Sequence, residues 1–299
     1  MSLLSLLIAL TAERYFSAKI WQFNFYYQHY LHFFSKAFTA KQSTAANTTF
    51  ILLPVITTYL LLEIIDNTVL QLLLSTMILI VCFGCITTRN NYKSYLYSAF
   101  RGEETTAEMH HQQLLSDKNL PDMGFGQALI WLNYRYYIAI MLYFIVFGAT
   151  GAVFYRLLTT VIEHKKAKCI ASDAEAQTTS VDKSEAEHEG NVVPNIMNGC
   201  QSHHDVLFWL DWLPVRIASF GYMFVGHFSR AMPVWLESLF DSQKATHQVL
   251  IDIAEQSEDI MVNENDCTAE PCLLVRLAKR NVLLVLAVIS ILTLSDLLN

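Results

Sequence analysis

The hydrophobic pattern of this chain is dominated by long runs that contain no Asp, Glu, Lys or Arg, over residues 42–62, 67–88 and 136–155. A helix rises about 1.5 Å per residue, so each run approaches the roughly 30 Å thickness of a bilayer's hydrocarbon core. This predicts membrane spans over about 45–65, 68–88 and 136–158. A fourth, shorter run covers 281–295. Arg276, Lys279 and Arg280 precede it and can bury their stems while their heads reach the headgroups, which extends the predicted span to about 279–298. The predicted fold class is an all-α, multi-pass membrane bundle with interfacial and amphipathic helices.

Between the runs the pattern changes. Residues 1–12 are apolar but too short to span, and they read as a helix that lies in the interface or dips into the bundle and ends at Glu13-Arg14. Over 21–38, aromatic residues alternate with His29, His32 and Lys36, as expected of a helix at headgroup level. Pro54 falls inside the first span, where it frees a backbone carbonyl that a neighbouring helix can satisfy. Residues 125–160 form one continuous helical pattern. Over 163–189 there are seven acids and four lysines with few apolar residues, so 163–204 is expected to be a flexible polar loop. The chain thus divides into a membrane domain (1–162), that loop, and a region 205–299 ending in the C-terminal span.

Loop charge does not give a simple topology. Arg89, Lys93 and Arg101 follow the second span, and Lys165, Lys166 and Lys168 follow the third. By the positive-inside bias both sets belong on the cytoplasmic side, which one crossing cannot achieve. We expect a simple crossing with small residues packing closely at Gly148-Ala149-Thr150-Gly151, and a re-entrant turn there is the alternative.

Composition narrows the function classes. Apolar residues make up 53% and charged residues 16%, and much of the excess acid behind the net charge of −7 lies in the polar loop, so no basic tract points to nucleic acid. The Cys82-Phe83-Gly84-Cys85 pair lies in an apolar helix without a second pair at zinc spacing. Gly221 to Phe228 has the glycine spacing of a phosphate loop, but His227 and Phe228 replace its lysine and hydroxyl, so the glycines are expected to admit a neighbouring helix. No metal and no cofactor are expected.

Ionisable groups at membrane depth are functional candidates by default. The polar residues placed near that depth are Glu13, Arg14, Asn133, Arg135, Asp211, Arg216 and His227, all ionisable except Asn133. Structural ion pairing is the ordinary alternative. We expect Asn133, Arg135, Asp211, Arg216 and His227 to line one polar pocket whose arginines bind an anionic ligand. On that basis Arg216→Leu should abolish function and leave the protein in the membrane.

Four segments carry a family resemblance: Ala128-Leu-Ile-Trp-Leu-Asn133-Tyr-Arg135-Tyr-Tyr137, Leu210-Asp211-Trp212-Leu213-Pro214-Val215-Arg216, Gly226-His227, and Ala231-Met-Pro233-Val-Trp235. They resemble the AmpE family of bacterial inner-membrane proteins associated with β-lactamase induction. The resemblance implies a sensory or regulatory protein that responds to β-lactams or cell-wall fragments, with the lipid bilayer and a cell-wall-derived ligand as partners. That family is similar in turn to the CobD/CbiB membrane synthases of cobalamin biosynthesis. Where those enzymes carry acids, this chain has Leu132, Tyr136 and Ile162, so amide-forming catalysis is not expected. A small-solute transporter is a further alternative.

Overall fold

The computed structural model describes residues 2–13, 15, 18–37, 44–83, 86–178, 197–241, 244–258 and 268–295, and among them every regular element is a helix. The predicted all-α class is therefore correct. The helices are α1 (Ser2–Ala12), α2 (Phe23–Ala37), α3 (Thr44–Ile64), α4 (Thr68–Phe83), α5 (Ile86–Phe100), α6 (Glu104–Lys118), α7 (Phe125–Asn133), α8 (Ala139–Thr178), α9 (Met197–Val225), α10 (Phe228–Phe240), α11 (Thr246–Gln256) and α12 (Ala269–Leu294). A π-helical turn, Tyr134–Ile138, joins α7 to α8.

The stretch 125–165 is long and apolar enough for one crossing, yet its side chains show that it folds back on itself. In a straight helix Arg135 and Glu163 would lie roughly 42 Å apart, and Tyr143 and Tyr155 about 18 Å. Instead the first pair is 3.4 Å apart and the second pair's rings are stacked at 4.8 Å. The reversal is at Gly148, with φ 67° and ψ −159°, a conformation open to glycine and costly for residues with a Cβ. Gly151 then lets the returning arm approach the Tyr143 carbonyl, where a Cβ would collide. The expected single crossing over 136–158 and the unbroken helix over 125–160 are both corrected to a helical hairpin, the re-entrant alternative. Its two ends meet at one face, where the Asn119 side chain donates to the Glu163 carbonyl at 3.3 Å.

Two prolines explain how neighbouring helices are pinned. Pro54 has no N–H, so the Phe50 carbonyl one turn earlier loses its helical donor, and the Tyr30 hydroxyl of α2 donates to it at 2.9 Å. Pro214 in α9 frees the Leu210 carbonyl in the same way, and the Tyr143 hydroxyl of α8 donates to it at 3.0 Å. In each case a breach in one helix becomes an attachment point for another.

Burial is inverted relative to a water-soluble bundle. Along α9, Trp209, Leu213, Ile217, Phe220 and Phe224 form an exposed apolar stripe, while Asp211, Arg216 and Ser219 are buried. In α12 Leu283, Val288 and Ile291 are exposed, and Asn281 is wholly buried and donates to the Ala218 carbonyl at 3.0 Å. Asn281 sits against Gly221, where a Cβ would overlap its side chain, so this glycine does admit a neighbouring helix as expected. α1 dips into the bundle against α4, with Leu6 and Ala9 fully buried.

Some boundaries move. The expected loop 163–204 is helical to Thr178 and again from Met197, with 179–196 outside the described residues. The C-terminal helix begins at Ala269, ahead of the predicted 279. The second predicted span, 68–88, is divided between α4 and α5, which are bent by 42°. Gly84 and Cys85 lie outside the described residues, so the CxxC pair is seen only at the buried Cys82.

The proline devices give a thermodynamic cycle. Tyr143→Phe should destabilise the detergent-solubilised protein by about 1–3 kcal/mol, the cost of a buried acceptor left without a donor. In a Pro214→Ala background the new N–H serves the same carbonyl, so most of that loss should vanish in thermal-unfolding measurements. Equal losses in both backgrounds would refute the assignment.

Candidate functional site

Asp211 is 1% exposed and projects from α9 towards the hairpin. Its Oδ1 accepts hydrogen bonds from the hydroxyls of Tyr134 and Tyr155, both at 2.8 Å. Tyr134 belongs to the π turn of the outgoing arm and Tyr155 to the returning arm, so one carboxylate oxygen clasps the two arms together. Inserting a π turn resets which residues face inward, and Leu132, Tyr134, Tyr136 and Ile138 are all buried in succession. Arg135 acts electrostatically on Asp211 and supplies the positive field that a buried carboxylate needs.

Arg135 also points towards the open end of the hairpin. Its guanidinium pairs with Glu163 at 3.4 Å and lies 5.1 Å from the centre of the Trp131 ring. Tyr136 donates to Glu163 at 3.4 Å and accepts from Lys118 at 2.8 Å. A polar ribbon thus runs from buried Asp211 through Arg135, Glu163 and Tyr136 to Lys118 at the end of α6. There it meets a polar chamber of about 200 Å³ enclosed by the start of α2, the start of α5, the end of α6 and the returning arm. Arg156, buried in that arm, holds its guanidinium 4.3 Å from the Tyr136 ring centre and 5.4 Å from that of Phe23.

The seven predicted site residues do not form one pocket. Arg135 and Asp211 come together, and Asn133, at the end of α7, has a buried Oδ1 with no hydrogen-bond partner. Glu13 makes a separate node: it pairs with Arg89 of α5 and accepts from Tyr137 through both oxygens at 3.0 Å. Arg14 lies outside the described residues.

Arg216 is five residues beyond Asp211, about 140° around the helix, so it faces elsewhere. It stacks on Trp212 at 4.0 Å and donates to the carbonyls of Ser238 and Asp241 at 2.7 and 3.1 Å, closing the C-terminal end of α10. His227 is exposed at the start of α10, and its backbone N–H donates to the Ser257 carbonyl at 2.8 Å. The expectation that Arg216 and His227 line the pocket is corrected, and Arg216→Leu should reduce the amount of folded protein. Glu163, Tyr134, Tyr136, Tyr155, Lys118 and Arg156 are the site residues that the pattern did not identify. One signal was present in the sequence: the basic clusters after the second and third uncharged runs, which a single crossing cannot put on one side, pointed to a reversal that brings Glu163 back towards Arg135.

The fold and site define an all-α, membrane-type protein, apolar outside and ionic within, organised on a re-entrant hairpin. The sequence profile described as "Regulatory signalling modulator protein AmpE" matches residues 1–183 and 193–298, and the chain belongs to the AmpE family. It is similar to Protein AmpE of Shigella flexneri, with 27% identity over 249 residues that cover 79% of this chain and 79% of that protein. No solved structure matches the chain.

The ribbon's ion pair can be tested through stability. Removing one partner of a largely buried pair strands the other, so Arg135→Met should cost about 3 kcal/mol. The double variant Arg135→Met/Glu163→Met should recover the part of that loss that comes from stranding Glu163, while the part that comes from removing the positive charge near Asp211 remains. Additive losses in thermal unfolding would show that the two side chains act independently.

Proposed function

We propose that this chain is a non-catalytic modulator of β-lactamase induction, a multi-pass protein of the bacterial inner membrane that reads an anionic, cell-wall-derived ligand in its polar chamber. Membership in a family described as regulatory supports the signalling role. The observation that carries the ligand role is the ribbon. A ligand entering the chamber meets Lys118, Arg156 and Glu163, and through Glu163 it bears on the ion pair with Arg135 behind the wall. Because Glu163 and Arg135 sit on opposite arms of the hairpin, exchange of that pair changes how the arms are tied. A ligand with different affinity for the two arrangements would shift their populations, which is all that a signal requires.

The hairpin also supports an orientation. It brings Glu163 and His164, just before Lys165, to the chamber that Ile86 and Thr87 at the start of α5 also line, and Arg89 and Lys93 follow there, which supports basic residues of both loops on one side. By the positive-inside bias that side is cytoplasmic, and the chamber opens there.

The test is induction in a strain that lacks the chromosomal copy and carries a β-lactam-inducible β-lactamase. Lys118→Met, half-buried at the chamber wall, should lower the induced activity while membrane abundance on an immunoblot stays at the wild-type level. Induction that falls only in step with abundance would remove the chamber from the signalling role.

A further inference from the structure

The chain reverses at Gly226-His227, and α10 runs back along the last turns of α9 until Arg216 closes its C-terminal end. The side chains of α10 fall into three bands. Ala231 and Ser238 are buried against the bundle, with Val234 and Trp235 partly covered beside them. Phe228, Met232 and Leu236 follow at four-residue spacing and are 45%, 40% and 41% exposed. Ser229, Arg230, Pro233 and Glu237 are exposed on the remaining side. Successive residues lie about 100° apart round a helix, so the exposed apolar and exposed polar bands run side by side along the whole of α10.

The outer face of α12 is divided in another way. Arg276, Lys279 and Arg280 are exposed near its start, and Leu283, Val288 and Ile291 are exposed after them. There the change from charge to hydrocarbon runs along the axis, as it must in a helix that passes through the boundary between water and lipid. In α10 the same change runs across the axis, as it must in a helix that lies along that boundary.

Contacts at the two ends of α10 place both at one level. At the start, the His227 N–H donates to the Ser257 carbonyl at 2.8 Å, and the next residue, Glu258, pairs with Arg280 at 3.7 Å. The helix therefore begins where the outer face of α12 turns from basic to apolar. At the end, Asp241 is exposed, and Lys244 pairs with Asp252 at 2.5 Å with side chains 36% and 40% exposed. So charged and open a turn belongs in water or among headgroups, which keeps the end of α10 no deeper than its start. The apolar band also continues a lipid-facing surface: Trp235, which borders it, lies 5.4 Å ring to ring from Phe220 in the exposed stripe of α9.

We infer that α10 lies flat in the interfacial layer of one leaflet and is a lipid-binding surface, with Phe228, Met232 and Leu236 against the acyl chains and Ser229, Pro233 and Glu237 towards headgroups and water. The inference is independent of what the chamber binds.

The experiment uses the full chain with its native cysteines replaced by serine, reconstituted in phosphatidylcholine and phosphatidylglycerol vesicles. A nitroxide is attached in turn to Phe228→Cys, Met232→Cys, Leu236→Cys, Ser229→Cys and Glu237→Cys. The first three should relax faster with oxygen, which concentrates in lipid, than with a water-soluble nickel chelate, and should report one common depth. The last two should show the reverse. A depth that grows steadily from 228 to 236 would mean that α10 dives into the bilayer, and nickel contact at all five positions would place it in water. Low contact with both reagents at the first three would mean that protein, such as a second copy of the chain, covers the band. Each of these overturns the inference.

Should the serine background fold poorly, hydroxyl-radical footprinting of wild type in nanodiscs that hold one copy decides the matter. Met109 on α6, 71% exposed, is the water-facing reference. Oxidation of Met232 far below that of Met109 supports the interfacial placement, and comparable oxidation of the two refutes it.

Discussion

A carboxylate cut off from water must find its hydrogen-bond donors inside the protein, and the rest of this structure is arranged around how Asp211 finds them. Left alone in a low dielectric, its charge would cost several kcal/mol. Two phenols on one oxygen, with a guanidinium close by, supply most of what hydration would. Because the phenols come from opposite arms of one chain reversal, solvating Asp211 also fixes the register of the hairpin. That register places Arg135 opposite Glu163 and closes the wall of the chamber. The π turn is part of the same solution, since it rotates Tyr134 and Tyr136 inward while leaving Arg135 between them.

Tyrosine is the residue that lets this bundle combine an apolar exterior with a polar interior. There are 14 in the chain, and the structurally decisive ones share a form: an apolar ring packed in the core and a hydroxyl aimed at a group that has lost its partner. Tyr30 and Tyr143 repair carbonyls orphaned by proline, Tyr134 and Tyr155 solvate Asp211, and Tyr137 bonds both oxygens of Glu13. A lysine or arginine in those places would need a counter-charge of its own, and a phenol does not. Tyr27 shows the same economy on α2. Burial pushes its hydroxyl up to about 12, further into the range where a phenol carries no charge.

Much of the architecture was legible because lipid imposes simple rules on sequence. Uncharged runs marked most of the long helices, Pro54 marked a freed carbonyl, and Gly221 marked a close helix approach. The Asn133 to Tyr137 and Asp211 to Arg216 strings pointed to the right family and to half of the right site. What stayed hidden depends on three dimensions. A uniform apolar pattern through Gly148 has the same period whether the helix continues or turns back, and only the balance of basic clusters hinted at reversal. Asp211 and Arg216 read as one motif in sequence, yet helical geometry sends them to different faces, one to the hairpin and one to the end of α10. Glu163 was assigned to a polar loop because acid-rich sequence follows it, although the helix continues past it and its partner lies on the other arm.

The ribbon is graded in depth, and that grading determines how it could respond. Asp211 at the inner end is 1% exposed, whereas the side chains of Arg135 and Glu163, nearer the chamber, retain 11% and 18%. Water can replace part of an outer contact when it opens, and it cannot do so for the inner one. Under the proposed function, disturbance from the chamber would therefore cost least at the Arg135–Glu163 pair, while the Asp211 clasp keeps the two arms tied to α9.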